Sequence, residues 1–335
     1  ILDKNNYWIS TDSGIIKFNK IENSINNIKF YEQNKYTIKN GIVSDIKLDI
    51  NQNLWVATQT GLSVFKKFGR EKIKSYTDDY LKKIGAPYLL RSFYPVGNKS
   101  YITPNANKLY LFKPESDSFT PYLPELWNEV AKRLSYVVCC IIDKKNRLWL
   151  GGIEGLMQIN LNDHTIKWFH SLENDTTTMV SDYVRDIYED HEGKIWIASW
   201  DLGLSEFVEV SNSFHRFLEK RALRKIFEDS KGNLWAGSRG GVFKVSPDRK
   251  TISTFVHIPN DPTSISENTG FSFFEDNSGL IYIGTYGGGL NIYNPDSDNF
   301  SVVTVKDGLA DNTVLAIFPD TQNNIWLATY NSWSK

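Results

Sequence analysis

A single cassette recurs along the whole chain, and a recurring cassette restricts the possible folds more than any composition does. Aligned on one aromatic position, Trp8, Trp55, Tyr101, Trp149, Trp196, Trp235, Tyr282 and Trp326 fall into register, with successive gaps of 39 to 48 residues by subtraction. Six of the eight copies hold an aspartate six positions earlier: Asp49, Asp143, Asp190, Asp229, Asp276 and Asp320. The first copy is shorter, with Asp3 five positions before Trp8, and the copy around Tyr101 reads PVGNKSY and lacks the aspartate.

Each part of the cassette has a local reading. Before the aspartate comes an apolar run rich in β-branched and aromatic residues (SYVVCCIID, DYVRDIYED, NTVLAIFPD), as a buried strand should have. The aspartate can bond the backbone two residues on and start a turn. Three positions later stands Asn146, Gly193, Gly232, Gly279 or Asn323, residue types that tolerate positive φ in a tight hairpin. A second strand follows (LWLGG, IWIAS, LWAGS, IYIGT), then a third (GLMQI, GLSEF, GVFKV, GLNIY) and a more polar fourth (TIKWFH, SFHRF, TISTFV, NFSVV). The small residues of the second strand leave room for a neighbouring layer.

Four antiparallel strands in about 45 residues make one propeller blade. The expected fold is therefore all-β, a β-propeller of four-stranded antiparallel blades. Seven blades are expected, with N- and C-terminal segments sharing the closing one. Repeats fall near 1–42, 43–88, 89–134, 135–182, 183–221, 222–269, 270–312 and 313–335, within one propeller domain over 1–335. The frame aromatics are expected to pack between blades.

Composition narrows the function classes. Of 335 residues, 41% are hydrophobic and 14% aromatic, enough for a packed core. A formal net charge of −1 gives no electrostatic reason to expect nucleic acid as partner. No apolar run reaches the length of a spanning helix. Ile1 is not an initiator methionine, so the chain is expected to be a piece of a longer protein. Cys139 and Cys140 are adjacent; in a strand they would point to opposite faces, so they are expected to be buried and unpaired.

The motif separates propeller families. Trp200-Asp201 is a lone Trp-Asp pair, not a WD signature, and the doublets Gly240-Gly241 and Gly287-Gly288 are not carried through the other copies as kelch blades require. The aspartate stands three residues before its glycine, against two in a sialidase Asp-box. The cassette resembles instead the two-component-regulator propeller repeat: DGLADNTVLAIFPDTQNNIWLATY (307–330), MVSDYVRDIYEDHEGKIWIASWDLGL (179–204), and NDPTSISEN (260–268) before EDNSGLIYIGTYGGGL. The resemblance covers nearly the whole chain and is weakest at 77–130. It implies the periplasmic sensor part of a hybrid two-component system that detects oligosaccharides from polysaccharide breakdown. It further implies a second propeller, a membrane-proximal domain and a kinase elsewhere in the full protein, and a homodimer. The alternatives are a ring that only mediates docking or dimerisation without binding a ligand and, after it, a propeller lyase or hydrolase.

In such a fold the turn between second and third strands and the loop entering each first strand share one face. The residues that vary there decorate an opening. They are Glu154, Trp200, Asp201, Arg239, Tyr286 and Tyr330 from the turns, with Thr60 also there, and Arg185 and Arg224 from the first strands, with Arg91 and Tyr136 beside them. Aromatic faces suit the C–H patches of sugars, and arginines grip carboxylate or sulfate bidentately. Arg185, Arg224 and Arg239, with Trp200 and Tyr286, form the expected ligand-binding set. The loops at 77–92 and 121–135 are expected on the same face, the second as a short helix with Leu123, Leu126, Val130 and Leu134 on one side. The five histidines (His164, His170, His191, His215, His257) show no metal-ligand spacing, and no cofactor, metal or catalytic group is expected. Glu154 and Asp201 are the single carboxylate pair considered for hydrolysis.

Overall fold

The computed structural model describes residues 118–319 and 325–330 continuously, with 94–96, 100–105, 108–113, 116 and 333–334. The strands 6–11, 14–19, 24–29, 43–48, 54–58, 61–66 and 71–77 are described by their backbone. Two compact units emerge, one of Ile1–Asn105, Leu109–Tyr122 and Thr304–Lys335, the other of Ala106–Lys108 and Leu123–Val303.

Among the described residues the strands form eight antiparallel sheets, six of four strands and two of three, each in simple up-and-down order. These are the blades of a β-propeller. The second unit holds four of them, spanning 137–169, 184–217, 223–255 and 270–303. The first unit holds the sheets at 6–29, 43–77, 94–121 and 314–334. Among the described residues seven first strands are found, beginning at Val43, Tyr94, Val137, Val184, Leu223, Gly270 and Val314.

The two chain ends meet within this unit, as a shared closing blade requires, with their strands paired in two three-stranded sheets. Gly14–Asn19 and Ser24–Lys29 pair in a sheet with Asn6–Thr11, while Trp333–Ser334 pairs with Ile325–Thr329. Asn6 to Thr11 pairs residue for residue with Asn19 to Gly14, a hairpin that closes at small entropic cost. Within this unit Val314–Pro319 runs beside Val43–Leu48, and Asn6–Thr11 lies beside Trp333–Ser334.

The acidic turn does more than open a hairpin. Asp143, Asp190 and Asp229 each accept the indole N–H of the frame tryptophan six residues on, at 2.8, 2.8 and 2.9 Å. In each case the other carboxylate oxygen accepts the backbone N–H four residues on, at 2.8 to 2.9 Å. Gly193, Gly232 and Gly279 sit at φ 79–82° and Asn146 at 61°, as the hairpin demands. The clamp orients Trp149, Trp196 and Trp235, all fully buried. Each packs toward the following blade: Trp149 on Phe207 at 5.1 Å, Trp235 on Tyr293 at 5.2 Å, and Trp196 in one cluster with Leu223, Ile226 and Phe243. The side chains of Trp8, Trp55, Tyr101 and Trp326 lie outside the described residues.

The small residues act as expected. A Cβ on Gly237 would stand 2.6 Å from the Gly270 carbonyl oxygen of the next blade. One on Gly151 would overlap Val184. Cys139 and Cys140 are buried, unpaired and opposed across the strand, and burial raises both thiols well above their ordinary range. The 121–135 segment forms a 3₁₀ turn, Pro124–Leu126, and a short α-helix, Trp127–Ala131. Val130 and Leu134 are buried, and Leu134 packs against Gly152, so the segment packs on its own unit. The 78–93 stretch, with Arg91, and Thr60 lie outside the described residues.

Candidate functional site

The first strands carry a device not apparent from the repeat. Pairing between first and second strands skips one residue in each of six blades: Ser44, Val138, Arg185, Arg224, Phe271 and Leu315. Each is the second residue of its strand. A bulge of this kind re-aims the extra side chain and recurs beside binding sites. Three consecutive blades of the second unit place Arg185, Arg224 and Phe271 there.

The second-to-third turns meet these bulges. The backbone N–H of Trp200 donates to the Tyr183 carbonyl at 3.0 Å, and that of Tyr286 to the Thr269 carbonyl at 3.0 Å, so each turn is tied to the entry of its own blade's first strand. Gly155 and Gly241 make the corresponding bond to the next blade, to Asp182 and Asn268 at 2.9 and 3.0 Å. The turn and the loop therefore share one rim. Ser238 and Thr285 brace the turn roots through their hydroxyls, which donate to Gly241 and Gly289 carbonyls at 2.7 and 2.8 Å.

Trp200 is the centre of the resulting cluster. The guanidinium carbons of Arg185, Arg224 and Arg239 lie 5.3, 4.5 and 5.1 Å from its ring centroid. Arg224 also lies 4.5 Å from the Phe271 ring, and Phe271 meets Tyr286 with centroids 5.9 Å apart. Tyr183 stacks on Trp200 at 6.0 Å. Cation–π attraction explains how the arginines are held. Tyr286 is 55% exposed and Arg185 and Arg239 are exposed, so the cluster is open to solvent. The Nε of Arg224 is buried with no hydrogen-bond partner. Burial, then the charges of Arg239 and Arg185, push the Arg224 guanidinium down to about 10. It still carries its charge at neutral pH.

Among the described residues, no carboxylate forms an ion pair or hydrogen bond with these three arginines. The nearby Asp186 is engaged by Lys225 at 3.0 Å and by the Ile226 N–H at 2.9 Å. Such an arrangement can hold an anion, or a sugar ring that carries one, against an aromatic platform.

Five expected residues are thus brought together: Arg185, Trp200, Arg224, Arg239 and Tyr286. Three are not. Glu154 accepts the backbone N–H of Ser135 at 3.2 Å and its hydroxyl, anchoring the segment after the short helix. Asp201 is exposed beside Trp200 and has no ion pair among the described residues. Tyr330 is 44% exposed and donates its N–H to Thr313 at 2.9 Å, within the other compact unit. Sequence reasoning missed Phe271 and Tyr183. Phe271 could have been found, since it occupies the same place in its strand as Arg185 and Arg224.

The histidines lie elsewhere. His191 bonds Glu228 at 2.6 Å, His170 stacks on Trp168 at 4.5 Å, and His257 contacts the Ile265 carbonyl at 3.0 Å. Among the described residues no three His, Cys, Asp or Glu side chains gather to hold a metal. No helix among them is long and apolar enough to cross a membrane.

The family model described as two component regulator propeller matches residues 178–201 and 308–331, the first window containing Arg185 and Trp200. The chain carries two-component-regulator propeller repeats. A histidine kinase P4 from Formosa agariphila is 30% identical to this repeat chain over 111 residues, 31% of the chain and 8% of the kinase. The extracellular domain of a hybrid two component system from B. thetaiotaomicron superposes with a TM-score of 0.68 at 17% identity, over 88% of this chain and 38% of that one. A virginiamycin B lyase from Staphylococcus aureus superposes at 0.61 and 13% identity, over 88% of this chain and 93% of the lyase. The repeat chain therefore spans a small part of the curated kinase and under half of the B. thetaiotaomicron structure.

Proposed function

We propose that this chain is the ligand-sensing propeller of a hybrid two-component sensor, lies outside the cytoplasm, and binds an oligosaccharide at the Trp200 rim. The propeller repeat supplies the class of protein. The single observation that carries the ligand reading is the exposed cluster in which Trp200, Tyr286 and Phe271 offer ring faces and three arginines from consecutive blades offer donors. The chain senses its ligand rather than transforming it, a reading supported by the match to the two component regulator propeller model. Seven blades in one domain, a second propeller, a membrane-proximal domain and a dimeric whole protein complete the proposal.

The test is calorimetric titration with a panel of neutral and acidic oligosaccharides, on the chain and on Trp200→Ala and Tyr286→Ala. The expected outcome is binding by at least one oligosaccharide that weakens about tenfold or more in each variant, the loss of one aromatic platform. Binding that survives both substitutions would place the site elsewhere.

A further inference from the structure

We infer that the Trp200 rim selects acidic ligands, and that Arg224 is the residue that enforces the selection by holding a carboxylate or sulfate group of the sugar. This rests on the reading of the rim as the ligand site and adds the chemical class of what enters it.

Three observations carry the inference. First, three cations surround a single ring, all within 5.3 Å of its centroid, and none has an acidic partner among the described residues. Elsewhere in the same unit, two arginines that face blade tryptophans each pair with a carboxylate. Arg147, 5.4 Å from Trp149, bonds Asp143 and Glu209. Arg249, 5.0 Å from Trp196, bonds Asp190 and two backbone carbonyls. The rim arginines depart from this pattern, with Arg185 and Arg239 at solvent-exposed positions.

Second, Arg224 is fixed. Its guanidinium lies between Trp200 and Phe271 at 4.5 Å from each, and its Nε is buried without a partner. A buried donor on a charged group costs free energy until something accepts from it. Neutral hydroxyls can accept, but only an anion also offsets the repulsion among Arg185, Arg224 and Arg239.

Third, the placement is built into the backbone. Arg185 and Arg224 are both bulge residues, set by the skipped pairing at Val184/Asp186 and Leu223/Lys225. The two side chains are therefore held by strands of adjacent blades rather than by mobile loops, which favours bidentate recognition of a planar carboxylate or a sulfate.

The probes are inorganic sulfate, tetragalacturonate, and carboxyl-reduced tetragalacturonate, which keeps the skeleton and loses the charge. Binding is followed by Trp200 fluorescence, by calorimetry, and by the arginine Nε–H resonances in the nuclear magnetic resonance spectrum. Sulfate should move the Arg224 Nε–H resonance and leave that of Arg249 in place. Tetragalacturonate should bind more tightly than sulfate, and the reduced form should bind about ten- to a hundredfold more weakly, the worth of charge-assisted hydrogen bonds. Arg224→Met should abolish the preference between the two tetrasaccharides, and Arg224→Lys should restore part of it. Raised salt should weaken the acidic ligand alone.

Equal binding of both tetrasaccharides, lost in Trp200→Ala, would overturn the acid selection and leave the site standing. Sulfate binding with no response to either sugar would keep the anion site and count against the saccharide. No movement of the Arg224 resonance or of Trp200 fluorescence with any of the three probes would overturn both.

Discussion

Asp229 shows how much one residue of the repeat carries. Its two oxygens accept from the backbone of Lys231 and Asn233, from the Asn233 amide and from the Trp235 indole, all between 2.8 and 3.1 Å. Asp229→Ala would strip the partner from a fully buried indole N–H and open the hairpin. It should destabilise the protein by about 2–4 kcal/mol, measured as a lowered urea midpoint. Asp229→Asn should recover part of the loss, because its carbonyl oxygen can still accept one of these bonds. At the rim, the expectation that Arg185, Trp200, Arg224, Arg239 and Tyr286 share one face agrees with their contacts, because the varying positions of a fixed frame fall on the same turns and strand entries. Glu154 engages Ser135 instead of the Trp200 cluster. No spacing rule announces a contact between residues 19 apart in different loops.

The elements are joined by a second acid in the same turn. Lys144, His191 and Ser230 each follow the frame aspartate, and each gives its backbone N–H to a glutamate of the next blade: Glu189, Glu228 and Glu275, at 2.6 to 3.1 Å. The Glu-Asp pair of the cassette thus divides its labour, the aspartate folding its own hairpin and the glutamate receiving the preceding one. At the middle junction the His191 ring also bonds Glu228. That hydrogen bond, then the glutamate's charge, raises the His191 imidazole above its usual 6.5. The stabilisation should be complete below about pH 6.5 and fade as pH climbs through the raised folded value. Thermal unfolding should therefore separate the protein from His191→Gln more at about pH 5.5 than at about pH 8.5. Equal separation at both would count against the link.

Across the molecule, each blade of the second unit leans on the next through buried rings and close glycines, so its stability should spread from neighbour to neighbour. Gly237→Val offers a check, because its side chain would meet the Gly270 carbonyl. Hydrogen exchange should quicken in the 223–255 and 270–303 blades and change least at 137–169. Uniform quickening would indicate a fully cooperative unit. The period, the strand order, the hairpin glycines and the buried tryptophans were all determined by the sequence alone, because each depends on contacts within one cassette or between identical neighbours. The tertiary structure decided the rest. It assigned Glu154 to Ser135, and through bulges turned Arg185 and Arg224 toward Trp200 and Phe271 toward Arg224. Those outcomes depend on which long-range partner arrives first or fits best, and a repeating pattern, being the same in every copy, does not encode that choice.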